Sequence, residues 1–326
     1  MSTILEIENL TVGFGDAAPV LDDVSLEVAD GEVLALVGES GSGKSMTALS
    51  ANRLLPRGAA MRAGTITVDG VDLSSCSERA LNRLRGHKIG MLFQQPKRML
   101  DPTSTVAQQV AEPLRKHLGL SRGAARARVL ELLTDVGIAE PERRASSYAH
   151  QLSGGIAQRV MIAVALAGEP DLLIADEPTT ALDVTVEVQI LQLLAAKRAE
   201  RGMSMLFISH DLGVVASIAD RIAVMYAGRI VEEGTADRIL NHPRHPYTQA
   251  LIKCSTLARE KDGSLYVIPG DVTSARALQD GCRFAPRCSL ALSGAMGETC
   301  SAAEPELTAV DADGTARCWA TERSAS

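Results

Sequence analysis

Aromatic residues are scarce, at 3% of the 326-residue chain: four Phe, four Tyr and one Trp. The interior must therefore be filled mainly by Ala, Val, Leu and Ile. Long apolar runs are missing too. The most apolar stretches, 160–167 and 33–37, fall far short of the ~20 residues a membrane-spanning helix requires. The opening MSTILEIENLTVGF has no basic segment leading into an apolar one, so no secretory leader is expected. A cytosolic chain is expected, with any membrane role exerted through partners. No long Lys/Arg block is present and the formal net charge is -7. That argues against nucleic acid as a partner without excluding it, since a basic face can sit on an acidic protein. No internal repeat is visible, which excludes a tandem duplication.

What is present reads as a globular protein, with 46% hydrophobic and 22% charged residues. Residues 3–10 and 20–29 alternate like strands of an antiparallel flank. The apolar run 32–37 ends in a glycine-rich loop and continues as a helix from Lys44, giving a strand–loop–helix unit. Residues 64–70 and 88–93 are further strand candidates. Helical periodicity takes over between about 105 and 136, through Val106, Val110 and Leu114, then Val129, Leu132, Leu133 and Val136. A helix is predicted from Ser153 to Ala167, a buried strand at 171–175, a long helix at 184–201, and strands at 203–209 and 221–226. Such alternation predicts an α/β fold with a mainly parallel sheet, interrupted by a helical insert near 96–152. Beyond about 241 periodicity fades, and a small irregular module is expected.

Three motifs carry chemistry. Gly38-Glu-Ser40-Gly41-Ser42-Gly43-Lys44-Ser45 has the P-loop pattern in its strand-to-helix setting. Glycines let backbone amides wrap phosphate oxygens, and the helix start at Lys44–Met46 adds partial positive charge. Lys44 is placed to reach the β- and γ-phosphates and the Ser45 hydroxyl to ligate Mg²⁺. Second, the apolar run 172–175 ends in Asp176-Glu177. Successive strand residues face opposite ways, so the two carboxylates can divide the work: Asp176 in the Mg²⁺ shell, Glu177 polarising the attacking water. Solvated charges at a strand end would be the ordinary explanation without a P-loop upstream. Third, Leu152-Ser153-Gly154-Gly155-Ile-Ala-Gln158-Arg159 precedes a helix. Ser153 is a good helix cap, but a cap does not explain the whole octet.

That octet resembles the signature motif of ABC ATPases, which in the family serves the ATP held by the opposite subunit of a dimer. The resemblance spans residues 3–240 and implies roles at further positions. Gln94 matches the Q-loop, contacting the metal (with Ser45 and Asp176) and linking to membrane subunits. Asp183 matches the D-loop, and His210 the switch histidine at the γ-phosphate. Phe14 matches the aromatic position that stacks on adenine. The catalytic set is thus Glu177, His210 and Lys44. The implied fold is an ABC nucleotide-binding domain: a RecA-like P-loop core with antiparallel β flank at 1–95 and 153–240, a helical subdomain at 96–152, and a Cys-containing extension at 241–326. Two positions depart from the pattern: Gln95, where many relatives have Asp, and Ala149, where importers of this subgroup often have Pro.

The wording of the motifs resembles the D-type ATPase of dipeptide, oligopeptide and nickel permeases, as does His242-Pro-Arg-His245-Pro-Tyr247. This implies an ATP-hydrolysing importer subunit at the cytoplasmic membrane face. Its partners would be a homologous F-type ATPase, two transmembrane permease subunits and, indirectly, an extracytoplasmic solute-binding protein. A soluble ABC ATPase acting on nucleic acid or ribosomes is the rival. Of the six cysteines, Cys76 and Cys254 stand alone, while Cys282, Cys288, Cys300 and Cys318 crowd the tail. In a cytosolic chain this suggests metal more than disulfides. Some relatives carry an iron–sulphur centre here, which favours [4Fe–4S]; Zn²⁺ on four thiolates and unligated thiols remain the alternatives.

Overall fold

The computed structural model describes residues 2–180, 182–259, 262–276, 278, 280–294 and 296–322. The chain divides into two compact units, one of Met1–Ile4, Ala29–Gly31 and Asp72–Phe207, the other of Leu5–Val28, Glu32–Val71 and Ile208–Ser326.

In the first unit the strands Ile89–Leu92 and Leu172–Asp176 pair in parallel, with Ile89 opposite Leu172 and Leu92 opposite Ala175. The strand that begins at Ser204 lies beside Leu172–Asp176. Every residue of Leu172–Asp176 is buried, as expected for a parallel strand covered on both faces. The helical insert forms as the periodicity predicts. Val106–His117 starts on a capping box in which Thr105 and Gln108 satisfy each other's amides. It buries Val106, Val110 and Leu114, spaced one turn apart. Arg122–Asp135 is capped by Ser121 and buries Val129, Leu132 and Leu133.

The second unit holds a four-stranded antiparallel flank and a second sheet. In the flank, Thr3–Phe14 runs between Leu21–Ala29 and Ala59–Val68. A register shift between Glu8 and Thr11 bulges the first strand toward Gly64. Gly64 has φ +92°, and a Cβ there would meet the Glu8 carbonyl at 2.5 Å; only glycine fits. In the second sheet Val33–Val37 pairs in parallel with Arg221–Tyr226, which pairs antiparallel with Arg229–Thr235.

The tail departs from the expected irregular module. Pro246–Ser255 is a regular helix, and Thr308–Asp311 with Gly314–Ala316 form a hairpin that extends the sheet, Ala316 lying opposite Glu232. Short, polar strands of this kind carry little periodicity, but a sheet edge supplies them with backbone partners. The tail packs on this unit's apolar core, where Tyr226, Tyr247 and Phe284 meet with ring centroids 4.7–5.3 Å apart. A chain with four Tyr and four Phe thus places three of them at one spot.

Candidate functional site: a phosphate-binding loop and a carboxylate strand

In the second unit the buried strand Val33–Val37 feeds a loop into the helix Lys44–Ala51. Gly38, Gly41 and Gly43 have φ of 153°, 79° and 123°. A Cβ on Gly38 would lie 2.2 Å from the Met225 carbonyl, and one on Gly43 would lie 2.9 Å from a Leu21 methyl. The loop is therefore threaded where no side chain fits. Gly43 caps the helix without a side-chain bond, and a helix N-terminus carries partial positive charge suited to an anion. Lys44 Nζ donates to the Gly38 and Glu39 carbonyls at 2.7 and 3.0 Å, which holds the ammonium across the loop. The Ser42 hydroxyl is buried with no partner among the described residues. Ser40 is exposed, and Ser45 and Met46 are half-buried in the first helical turn.

Two other expected residues lie in the same unit. Phe14 ends its strand opposite Ala59, its side chain 40% exposed where most apolar groups are covered. His210 is exposed directly after the strand Ser204–Ser209. Ser209 Oγ accepts from the Asp211 amide at 3.0 Å, and Asp211 caps the next helix, Leu212–Ile218. His210 therefore sits on a junction pinned on both sides.

In the first unit, Asp176 is buried at the strand end. Glu177 follows in the left-handed region at φ 47°, an uncommon conformation for this residue type and one that gathers at working sites. Its Oε2 accepts from Gln94 Nε2 at 2.8 Å and from Thr180 Oγ1 at 2.9 Å. Gln94 and Glu177, separated by 83 positions in sequence, are thus brought together. Ser153 caps the helix Gly154–Ala167 through the Ile156 amide. A Cβ on Gly154 would meet nothing within 4 Å, and one on Gly155 would touch Val186 at 3.4 Å. Gln158 is buried, and its Nε2 donates to the Pro178 carbonyl, one residue past Glu177. Asp183 caps the helix Val184–Arg201 through the Val186 amide at 3.0 Å. Of the three expected Mg²⁺ ligands, Gln94 and Asp176 lie in this unit and Ser45 in the other; all three are hard oxygen donors suited to that ion.

The tail cysteines converge. Cys282, Cys288, Cys300 and Cys318 line one cavity of about 10 Å³ together with Phe284 and Met296, and the Cys282 amide donates to the Cys300 carbonyl at 2.7 Å. Burial pushes the Cys282 thiol up to about 12 and raises those of Cys300 and Cys318. Among the described residues no group of three or more His, Cys, Asp or Glu stands at metal-holding spacing. The expected metal centre thus has its four side chains at one place but not in ligand geometry.

Comparison with known proteins decides the family. Residues 21–180 match the family model for the ABC transporter, and residues 231–294 match the oligopeptide/dipeptide transporter C-terminal region. A putative peptide import ATP-binding protein of Brucella ovis is 48% identical over 330 residues, covering 97% of this chain and 96% of that protein. The chain belongs to the ABC transporter ATP-binding family. The oligopeptide transport ATP-binding protein OppD of Mycobacterium bovis is 46% identical over 99% of this chain, which spans 52% of that longer protein. A dimeric ATP-binding cassette, MJ0796, solved with ADP and Pi, shares 32% identity at a TM-score of 0.65, covering 71% of this chain and 98% of that one. Clostridium perfringens cbiO1 shares 30% identity at 0.64, covering 74% and 92%. As a family member this chain is an ATPase, and ATP and Mg²⁺ are its cofactors.

Two carboxylates that shape the site gave no sequence signal. Glu39 is a variable position within the P-loop pattern, yet it is gripped from the tail by Arg287. Glu232 is fully buried and holds the start of the His245-Pro-Tyr247 segment. The Arg244 amide reaches Glu232 across 12 residues and the Arg287 guanidinium reaches Glu39 across 248, spacings that leave no periodicity to find.

Proposed function

We propose that this ATPase energises the import of peptides, working as a dimer of cassettes on two membrane permease subunits. Support for the solute class comes from the peptide-import relatives and from the match at 231–294. Support for the dimer comes from the dimeric cassette with ADP and Pi. The second cassette is a homologous ATPase subunit, and an extracytoplasmic solute-binding protein delivers the peptide. No helix among the described residues is long and apolar enough to cross a membrane; attachment at the cytoplasmic face runs through the permeases. The ATP-binding core comprises 1–95 and 153–240, the coupling subdomain 96–152 and the peptide-permease extension 241–326. The rival, action on nucleic acid or ribosomes, is not favoured, because the Brucella ovis and Mycobacterium bovis relatives are both named for peptide transport.

Each residue has a role in this reading. The amides of Gly38–Gly43 and the Lys44 ammonium hold the β- and γ-phosphates, and Phe14 stacks on adenine. Ser45, Gln94 and Asp176 hold Mg²⁺, which neutralises phosphate charge when bound. Glu177 takes the proton of the attacking water, and His210 contacts the γ-phosphate. Ser153, Gly154, Gly155 and Gln158 serve the ATP of the neighbouring cassette, with Asp183 at the same interface. The observation that carries hydrolysis is the Glu177 carboxylate, held in a left-handed turn against Gln94. Replacement by Gln keeps the shape and removes the base. We expect Glu177→Gln to bind ATP and accumulate closed dimers while turnover falls at least ~10²-fold. Undiminished steady-state hydrolysis would remove Glu177 from this role.

For the tail we propose a [4Fe–4S] cluster on Cys282, Cys288, Cys300 and Cys318, with Zn²⁺ as the rival. The support is that four thiols share one cavity; ligation would require them to deprotonate and close in. Iron and acid-labile sulphide in anaerobically purified protein test it. Stoichiometric zinc in a colourless protein, or no metal at all, would overturn it.

A further inference from the structure

The heptad Cys282-Arg-Phe-Ala-Pro-Arg-Cys288 turns both of its arginines inward. Arg283 donates to the Ala227 carbonyl at 2.7 Å and to Asp22. Arg287, with 5% of its side chain exposed, forks onto Glu39, the second residue of the P-loop: Nη1 to Oε2 at 2.8 Å and Nη2 to Oε1 at 3.0 Å. Arg287 is itself fixed by the Pro269 carbonyl and the Tyr226 hydroxyl. A planar guanidinium clamped on several sides orients a carboxylate in two dimensions, which a lysine does not.

A second contact reaches the same residue from another element. Glu232, fully buried, accepts from the Arg244 and His245 amides at 2.6 and 2.9 Å, and His245 Nδ1 accepts from the Tyr247 amide at 3.0 Å. These bonds start the helix Pro246–Ser255 and point the Tyr247 ring at the loop. Its hydroxyl accepts from the Glu39 amide at 2.8 Å. Tyr247 is completely buried. A third contact comes from Arg276, which donates to the Gly41 carbonyl. The backbone that cradles phosphate is thus gripped at Glu39 and Gly41 by three side chains of the C-terminal extension.

We infer that Tyr247 and Arg287 are positioning residues of the nucleotide site, holding Glu39 so that the P-loop is shaped for ATP before ATP arrives. The His-Pro-Tyr segment and the cysteine heptad then have a shared purpose: they set the phosphate cradle. A flexible glycine loop loses conformational freedom on binding, and contacts that order it beforehand raise affinity. The inference rests on the P-loop being the ATP site.

The test uses the full-length protein with Mg²⁺ and the non-hydrolysable analogue AMP-PNP, read by calorimetry, alongside melting temperature and ATPase kinetics. Tyr247→Phe keeps the ring and removes the oxygen; Arg287→Lys keeps charge without the fork; Glu39→Gln keeps shape without charge. Each is expected to raise the Kd about three- to tenfold, tenfold being about 1.4 kcal/mol. KM for ATP should rise with it while kcat at saturation holds, the signature of lost ground-state binding. Glu39→Gln combined with Arg287→Lys should cost no more than the worse single variant, because both lose one interaction. Folded variants with Kd within twofold of the parent, or strictly additive losses, would overturn the inference. If one variant does not fold, the other two decide. Lys44→Ala separates the premise: normal AMP-PNP binding in that variant would sink the ATP-site reading itself, whatever the tail variants do.

Discussion

Glu232→Ala is the sharpest probe of how the tail is held. Glu232 is fully buried, and its carboxylate accepts from Arg238 Nη1 at 2.6 Å and from the Arg244 and His245 amides. The Arg238 side chain is 7% exposed, so solvent screens the pair little. Removing one partner of such a pair costs about 3–5 kcal/mol, because the other charge stays buried. Two amides are orphaned as well, each at about 1–3 kcal/mol if it stays dry. These figures do not add. Arg238 keeps Asp311 at 3.1 Å, and Arg244 is half exposed, so water can reach it. The expected loss for Ala is therefore about 3–5 kcal/mol, and for Glu232→Gln, which keeps one acceptor, about half of that. Urea unfolding followed by far-UV circular dichroism reads the shift, and limited proteolysis reads where opening begins. We expect early cleavage between 240 and 260. A loss below about 1 kcal/mol for Ala, with unchanged proteolysis, would show that packing of the aromatic cluster holds the segment without this carboxylate.

Gly38→Ala forces a Cβ to within 2.2 Å of the Met225 carbonyl. The protein should fold with a displaced loop and lose Mg·ATP binding by more than tenfold, read by calorimetry. Burial lowers the His245 pKa to about 3. Between pH 6.5 and 3 the unfolded chain therefore binds the extra proton, so this residue's stability contribution is complete above 6.5 and is lost as pH falls through that window. Its share of the slope is at most about 1.4 kcal/mol per pH unit. His245→Asn, which keeps a cap acceptor, should flatten the urea midpoint against pH there, and an unchanged slope would contradict the assignment. Gln94→Ala removes the donor to Glu177; we expect a drop in kcat of roughly tenfold or more with ATP affinity nearly kept, measured by phosphate release.

Most of the fold was legible where local chemistry dictates it. The helical insert follows one-turn spacing of Val106, Val110 and Leu114, and the buried strand Leu172–Asp176 follows its continuous apolar run. The P-loop was legible because its glycines are required by φ and by close backbone approach, and such needs are written directly in residue type. The tail was illegible for the opposite reason. Gly314–Ala316 is a strand because the sheet edge at Arg229–Thr235 offers it partners, and Thr308–Asp311 because Gly314–Ala316 in turn does, not because their sequence alternates. Likewise, Ser153 reads as a helix cap within the chain; any service to a second ATP depends on a surface another subunit completes.

The scarcity of aromatics takes on meaning at this point. A core of small aliphatic side chains packs well but offers no hydroxyl at its end and no flat face for a guanidinium. Tyr226 and Tyr247 supply both: the Arg287 guanidinium lies 5.6 Å from the Tyr226 ring centroid while bonding Glu39, and the Tyr247 hydroxyl bonds the Glu39 amide. Phe284, between the two arginines of the cysteine heptad, packs against both rings. A change in the cysteine pocket therefore has a short rigid path to the P-loop: from Cys288 to its neighbour Arg287, and from Arg287 to Glu39. Coupling of this kind requires only that the pocket has two arrangements that place Arg287 differently. Replacing Cys282 and Cys288 with Ser tests that requirement. If the path operates, AMP-PNP affinity shifts in the double variant and the shift disappears once Glu39→Gln has already cut the link. A shift that persists in the Glu39→Gln background would mean that the pocket reaches the nucleotide site by another route.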